Sequence, residues 1–325
     1  MSLTRLNRRG VLVAALALAA GSSAVLAADK PLRVILPIGA GSGVDGIVRA
    51  AGPSLTKALG GQPVVIENLP GAGGITGTTA IVQAAPDGST IGVVSNNHAV
   101  NPSVYKKLPY DSLKDITPIS VVGATPFVLV VNPTKLPAKN AKELQALLKA
   151  KPGGYNYASS GNGTIIHLAG EMFVDAADVK VMHIPYKGTG PMVADLIGGQ
   201  VDLGVVALPA VQGHLKSGAL RAIGIMGKSR VASLPELPTI AEQGFPEVDV
   251  GGWFAVVGPA KLPPAEVKRL HAAVVAAFAM PETVQAMAKQ ENVINPSSPE
   301  AAVQFFRSEQ ERYARLVKKA NITLD

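Results

Sequence analysis

The sequence predicts an α/β fold built on parallel, doubly wound sheets. The first observation is a recurring order of short apolar strand, loop and helix, which is typical of parallel sheets. The second is that 34 glycines and 25 prolines are spread through the chain, where they separate many short elements. The residues that follow a predicted leader number about 298, enough for two domains of ordinary size.

The strand–loop–helix order begins with a strand at 32–37, a glycine loop and a helix at 45–59. A strand at 63–67 and a loop at 70–77 then lead into a helix that ends near 84. Further predicted strands lie at 90–95, on either side of Thr125-Pro126 within 119–132, and at 154–158, 179–184, 203–207, 220–225 and 253–257. Further predicted helices lie at 140–150, 164–174 and 191–198, and within 264–321, where they are divided by Pro281, Pro296 and Pro299.

Residues 1–27 have the order of an export signal. Arg5, Arg8 and Arg9 precede an apolar run at 11–18, and small residues at 25–27 form a cleavage site. The apolar run is too short for a membrane-spanning helix, which needs about 20 residues. We therefore expect cleavage near Ala27 and a periplasmic mature protein, exported by either the Sec or the twin-arginine route.

Composition excludes several classes of function. The formal net charge of +7 includes the three signal arginines, so the mature chain is only mildly basic, and no basic cluster interleaved with aromatics predicts nucleic-acid binding. The absence of cysteine excludes disulfides, thiolate metal sites and cysteine nucleophiles. His167 and Glu171 share a helix face but lack a third ligand, so we interpret them as packing or capping residues and expect no metal.

Five loops between a strand and a helix are rich in glycine, serine, threonine and asparagine: 39–45, 71–77, 95–98, 159–164 and 188–191. In open α/β sheets ligands bind at the carboxyl ends of the strands, where helix N-termini offer N–H groups and a partial positive charge. Taken singly, such residues are ordinary turn formers. Together they predict a cleft for a carboxylate or phosphate.

The competing hypothesis is an exported nicotinamide-dependent oxidoreductase. Gly41, Gly43 and Gly46 match G-x-G-x-x-G, and Glu67 ends the next strand, as in a dinucleotide fingerprint. Two observations count against this hypothesis. Export would remove the protein from the cytoplasmic nicotinamide pool, and a dinucleotide site would leave the other four loops without a function. Asp45 would also repel a pyrophosphate, and we interpret it as a residue that bonds backbone N–H groups at a helix end.

Several motifs follow one another in order along the mature chain. They comprise Pro37, Gly41, Asp45 and Arg49, and the segments 67–77, 85–88, 157–164, 167–171, 185–188, 198–202, 234–235 and 238–244. Together they resemble the Bug family of extracytoplasmic solute receptors, the binding components of tripartite tricarboxylate transporters. The resemblance covers nearly the whole mature chain, with departures at Ser42, where glycine is usual, and at Gly43-Val44, where Pro-Thr is common.

The resemblance implies a type II periplasmic-binding-protein fold, in which two doubly wound α/β lobes are joined by two crossover strands around a ligand cleft. We expect lobe 1 to comprise 28–127 and 224–325, and lobe 2 to comprise 128–223. The resemblance further implies a non-enzymatic monomer without a cofactor. Such a receptor holds a small organic carboxylate through backbone N–H groups, hydroxyls and ordered water, and delivers it to the membrane subunits of a tripartite tricarboxylate system.

The predicted ligand-binding residues lie in or beside the matched motifs: Gly41, Ser42, Gly43, Asp45, Ala72, Gly73, Ser95, Asn96, Ser159, Ser160, Gly161, Thr164, His167, Tyr186, Lys187, Gly188, Thr189 and Asp202. Lys187 is expected to tune closure, with no direct pairing to the carboxylate. Met192 and residues 96–98 are expected to tune specificity, and Trp253 fits either a core position or the cleft wall.

Overall fold

The computed structural model describes residues 30–320. The predicted signal and its cleavage site near Ala27 lie outside these residues. Within 30–320, no helix is both long enough and apolar enough to cross a membrane.

Eleven strands and ten α-helices are present in the described part of the chain. The strands are β1 (Leu32–Leu36), β2 (Val64–Asn68), β3 (Thr90–Ser95), β4 (Ile116–Thr125), β5 (Phe127–Val131), β6 (Asn156–Ser159), β7 (Met182–Pro185), β8 (Leu203–Ala207), β9 (Arg221–Ile225), β10 (Gly252–Pro259) and β11 (Val293–Ile294). The helices are α1 (Gly43–Ala58), α2 (Ile75–Val82), α3 (Asn96–Val104), α4 (Ala141–Ala150), α5 (Ile165–Ala177), α6 (Thr189–Ile197), α7 (Leu208–Lys216), α8 (Pro264–Ala279), α9 (Pro281–Lys289) and α10 (Pro299–Lys319), with a 3₁₀ turn at Ala72–Gly74.

The first sheet has the strand order β11-β4-β10-β3-β1-β2. Its β3-β1-β2 part is parallel, while β10 runs antiparallel to both β3 and β4. An apolar layer between this sheet and helices α1 and α8 includes Leu36, Ile47, Phe254 and Phe278. Every residue of β10 is buried, as expected for a central strand covered on both faces.

The second sheet has the order β7-β6-β8-β5-β9. β6 is parallel to β7 and β8, whereas β5 is antiparallel to β8 and β9. The chain crosses between the sheets twice, at Pro126 and again ahead of β10. The predicted fold class, two α/β units joined by two crossovers, is confirmed by this topology.

The segment 226–250 packs against the second sheet before the chain returns. The Ala141 N–H donates to Gln243 Oε1 at 2.6 Å, and the ring centroids of Phe173 and Phe245 lie 5.7 Å apart. Val250 N–H then donates to Met226 O at 2.8 Å, immediately ahead of Gly251 and β10. The chain therefore stays in contact with the second unit up to residue 250, shortly before β10.

Three elements were absent from the sequence prediction or differ from it. α3 begins directly at the end of β3, without the loop predicted at 95–98, and α7 and β11 were not predicted. β11 has only two residues and pairs with β4 at the edge of the first sheet, so its formation depends on that partner.

Candidate functional site

The carboxyl ends of parallel strands from both sheets meet at one cleft. Its solvent-open part, called the outer cleft here, has a free volume of about 470 Å³. The walls are Pro37, Ile38, Gly39, Pro70, Gly71, Ala72, Gly73, Gly74, Asn97, Tyr105, Ser160, Gly161, Asn162, Thr164, Tyr186, Lys187, Gly188 and Thr189. Lys187 is the only charged side chain among these lining residues, and it is exposed.

Segments of the two sheets touch across the cleft. Asn97 Oδ1, at the start of α3, accepts a hydrogen bond of 2.8 Å from the Ile165 N–H at the start of α5. A Cβ atom placed on Gly43 would lie 3.1 Å from Ala207 Cβ, so this approach favours glycine. A ligand in the cleft is therefore within reach of both units.

A second, smaller cavity, the inner pocket, lies beside the crossover strands and has a free volume of about 50 Å³. It shares Ile38, Asn97, Ser160 and Thr189 with the outer cleft, so the two spaces are neighbours. Its other walls are Ser42, Gly43, Val44, Ser95, Asn96, Thr125, Phe127, Ile165, Ile166, Met192, Val205, Val206, Ala207, Gly252 and Trp253. None of the described residues that line it is ionisable at neutral pH.

The helix N-termini around the site differ in how they are capped. The N-terminus of α1 is capped by Ser42, which accepts from the Asp45 N–H, and the buried Asp45 carboxylate accepts from the Gly41 N–H at 3.0 Å. The N-terminus of α5 is capped by Thr164, and Asn97 accepts from the Ile165 N–H. Each of these two helix ends is therefore capped by a side chain within the protein.

Helices α3 and α6 have no such caps. The N-termini of α2, at Gly74 in the outer cleft, and of α7, at Ala207 in the inner pocket, also lack side-chain caps, but each adjoins only one cavity. Within residues 30–320, no side chain donates or accepts a capping hydrogen bond at Ser95 or at Gly188, the N-cap residues of these helices. The first N–H groups of a helix have no intrahelical acceptor. Since Asn97 and Thr189 line both cavities, two uncapped helix ends face the junction of the outer cleft and the inner pocket.

The loop at 159–164 lines the outer cleft, but most of its N–H groups bond within the protein. Gly161 N–H donates to Ser159 Oγ, Gly163 N–H to His167 Nδ1, and Thr164 N–H to Gly161 O. These three N–H groups therefore already have acceptors within the protein. Ser160, which lines both cavities, is the side chain of this loop best placed for a ligand.

Two stacked imidazoles lie beneath this loop. The ring centroids of His167 and His183 are 3.9 Å apart, and His183 Nε2 lies 2.6 Å from Ser159 Oγ. Burial lowers the pKa of His183 to about 4, and the neighbouring His167 adds to this shift. Tyr157 donates to Glu171, whose pKa is raised by burial but lowered overall by the bonds from His167 and Tyr157. This cluster of Tyr157, His167, Glu171 and His183 supports the loop.

The Asn96 side chain links the site to the second crossover. Its Nδ2 donates to Gly251 O at 2.9 Å and to Tyr313 Oη at 2.6 Å, and its Oδ1 accepts from the Trp253 N–H at 3.0 Å. Trp253 lines the inner pocket, and its Nε1–H donates to Glu309 of α10 at 2.8 Å. Because these bonds occupy the side-chain amide of Asn96, the predicted contact of this residue with a ligand would have to be made by its backbone.

Of the predicted ligand-binding residues, thirteen line the two cavities: Ser42, Gly43, Ala72, Gly73, Ser95, Asn96, Ser160, Gly161, Thr164, Tyr186, Lys187, Gly188 and Thr189. Burial raises the pKa of Tyr186 to about 12, together with its hydrogen bond to Asp195.

The other five predicted residues do not line either cavity. Gly41, Asp45, Ser159 and His167 support the loops from behind through the hydrogen bonds described above. Asp202 lies away from both cavities, because it precedes β8 and is about 17 Å along that strand from Ala207, at roughly 3.3 Å per residue. Its carboxylate instead accepts from the Asn156 N–H at 2.9 Å.

Sequence reasoning missed Tyr105, Thr125 and Phe127, which line the site. Thr125 and Phe127 flank Pro126 at the first crossover. The sequence did offer a signal for Thr125 and Phe127. The break at Thr125-Pro126 marks a crossover between the two units, and crossover strands form the floor of such a cleft.

The geometry also bears on the dinucleotide hypothesis. Asp45 holds the Gly41 N–H and pairs with Arg49 at 2.8 Å, so its carboxylate occupies the position where a pyrophosphate would meet the helix end. Glu67 pairs with Arg33 at 2.7 Å, and that bond together with the nearby charge lowers the pKa of Glu67. Both acids of the apparent fingerprint therefore have partners within the protein.

Comparison with known proteins agrees with this geometry. The family model for the tripartite tricarboxylate transporter family receptor matches residues 47–322. The chain belongs to this receptor family. BugT of Bordetella pertussis is 36% identical over 327 residues, covering 100% of both chains.

Solved structures show the same fold. The periplasmic binding protein BugD is 32% identical, with a TM-score of 0.87 over 91% of this chain and 99% of that one. A protein from R. palustris, solved with adipate, is 28% identical, with the same TM-score of 0.87 and the same coverage of 91% and 99%. The oxidoreductase reading is not favoured, because the chain is a solute-binding receptor of a tripartite transporter.

Proposed function

We propose that this receptor binds a small organic carboxylate with its anionic group between the N-termini of α3 and α6. The observation that carries the proposal is that these two helix ends, one from each unit, are uncapped and adjoin both cavities. Each helix N-terminus carries roughly half a positive charge, so two of them match about one carboxylate. The adipate-bound relative supports a carboxylate as the ligand class.

Ligand binding would stabilise the closed arrangement of the two lobes. A carboxylate between α3 and α6 contacts both units only when they approach, so it favours the closed state by those added contacts. The contacts of 226–250 with the second sheet favour hinges at 125–127 and at 250–252. Lobe 1 would then resume near 251, later than the predicted 224.

The remaining features of the proposal follow from family membership and from the sequence. We propose that the signal is cleaved near Ala27, that the mature protein acts as a periplasmic monomer, and that it has no catalytic activity. The membrane subunits of the tripartite transporter would receive the closed, loaded form.

Gly190 offers a direct test of the anion position. It lies in the first turn of α6 and is exposed, and a Cβ atom there would lie 3.8 Å from Ala40 O, which is ordinary contact. Gly190→Asp places a carboxylate at the helix end, where it repels the ligand and satisfies the positive end of the helix. Gly190→Asn is the matched neutral control of nearly the same shape.

Titration calorimetry with a panel of three- to six-carbon carboxylates at low salt measures the effect. We expect Gly190→Asp to lose at least tenfold in affinity for the tightest ligand, about 1.4 kcal/mol, and Gly190→Asn to stay within about threefold. Equal losses in both variants, or none in either, would place the carboxylate elsewhere in the cleft.

A further inference from the structure

We propose that the inner pocket receives an uncharged end of the ligand. The receptor would then prefer a monocarboxylate that carries a neutral hydrogen-bonding group, such as a hydroxyl, to a dicarboxylate of the same length. This inference rests on the proposed function, because it takes the carboxylate to lie between α3 and α6.

The walls of the inner pocket favour an uncharged group. Its floor is formed by residues of the two crossovers, including Phe127 and Trp253, and Met192 and Val205 add apolar surface. Among the described residues that line it, none can carry a charge at neutral pH. A second carboxylate placed here would lose its hydration without gaining a cation, which is unfavourable.

Charge matching gives the same preference. The N-terminus of α1 already faces the Asp45 carboxylate, and that of α5 is bonded by Thr164 and Asn97. The ends of α3 and α6 together supply about one positive charge, which one carboxylate uses. The N-terminus of α7 also lines the inner pocket at Ala207, but the Leu208 N–H donates to Pro126 O and Pro209 has no N–H. Lys187 is exposed in the outer cleft, where solvent and salt weaken its attraction for a second carboxylate.

Thr125 provides the polar feature of the pocket floor. It is 4% exposed, and its Oγ1 has no hydrogen-bond partner in the part of the chain that the structure describes. Buried hydroxyls are almost always hydrogen-bonded, so this one points to a ligand group as its partner. Trp253 cannot serve instead, because its Nε1–H is held by Glu309.

The test compares three matched ligands at each chain length from three to six carbons: the straight monocarboxylate, its terminal hydroxy acid and the diacid. Titration calorimetry on the mature protein gives the dissociation constants. At the length that binds most tightly, we expect the hydroxy acid to bind at least threefold more tightly than the monocarboxylate and at least tenfold more tightly than the diacid.

Thr125→Val removes the hydroxyl and keeps the shape of the side chain. We expect it to weaken the hydroxy acid threefold to tenfold, the loss of one neutral hydrogen bond, and to leave the monocarboxylate within twofold. Thr125→Ser should keep the native preference. Thr79→Val is the control, since Thr79 Oγ1 bonds Ile75 O within α2 and does not line either cavity.

A diacid that binds best to the native protein would overturn the inference while leaving the carboxylate receptor intact. An equal effect of Thr125→Val on all three ligands would overturn it as well. If no acid of any series bound, the proposed function itself would fall. The native ligand series decides the question even if a variant does not fold.

Discussion

At the scale of single residues, Lys187 separates two ways of holding an anion. It is the only charged side chain that the structure places on the outer cleft wall, and it is exposed. If backbone N–H groups hold the carboxylate, Lys187→Met should cost only about 0.2–1 kcal/mol of binding, and the loss should shrink as salt rises. Titration calorimetry at low and moderate salt measures both quantities. A loss above roughly a hundredfold at both salts, about 2.7 kcal/mol, would make Lys187 the anchor.

His98 makes a prediction about stability and pH. It is 3% exposed, and burial lowers its pKa to about 4 despite its bond to Ser112 O. In the unfolded chain its pKa is about 6.5. Since the unfolded state binds the proton more readily, stability is greatest above pH 6.5 and falls as the pH drops towards 4.

The variant His98→Gln removes the titrating ring and retains a donor for Ser112 O. Urea unfolding at pH values from 7 to 4 should show a shallower loss of unfolding free energy for His98→Gln than for the native protein. Parallel slopes in the two proteins would mean that His98 does not contribute to the acid sensitivity.

At the scale of elements, the loop at 159–164 divides between ligand contact and helix capping. Thr164 Oγ1 accepts from the His167 N–H and donates to Gly161 O at 2.8 Å, so Thr164→Val should lower the unfolding free energy by about 1 kcal/mol. Ser160 lines both cavities, so Ser160→Ala should weaken carboxylate binding by about 0.5–1.5 kcal/mol with little change in stability. Thermal unfolding and calorimetry on the same samples would separate the two roles. A loss mainly of binding in Thr164→Val, with a loss mainly of stability in Ser160→Ala, would contradict these assigned roles.

The elements show how far the sequence predicts the structure. Runs such as Phe127–Val131 are apolar throughout, and β5 forms there as a strand buried on both faces. The start of α3 was placed wrongly because Asn96 and Asn97 are typical of turns, whereas here their side chains are bonded to Gly251, Tyr313 and the Ile165 N–H. Those partners lie far away in sequence, so local pattern could not reveal them.

The candidate site was predictable to a similar degree. The glycine-rich and hydroxyl-rich loops at strand ends contribute lining residues to both cavities, and their contact with a ligand stays a prediction. The capping bonds were not predictable from local sequence. Asn97, in the opposite unit, accepts from the Ile165 N–H at the start of α5, and His167 accepts from the Gly163 N–H one turn before it. Asp202 lies away from both cavities because its motif follows a helix, at the amino end of a strand.

At the scale of the whole molecule, the hinge and the C-terminal helix meet at the site. α10 contributes Tyr313 and Glu309, which bond Asn96 and Trp253 beside the second crossover. Asn96 also contacts Gly251, so the start of α3, the hinge and α10 are connected through one buried side chain. In the proposed closure, the two units would move about crossover residues that are bonded to the start of α3.

The central claim is that a carboxylate, and not a nucleotide, fills this cleft and stabilises the protein. Thermal-shift measurements with small carboxylates and with NAD, NADP and ATP test it most directly. We expect a carboxylate present at 100 times its dissociation constant to stabilise the folded protein by about 2.7 kcal/mol, and the nucleotides to give no shift. A shift with a nucleotide, and with none of the carboxylates, would contradict the account.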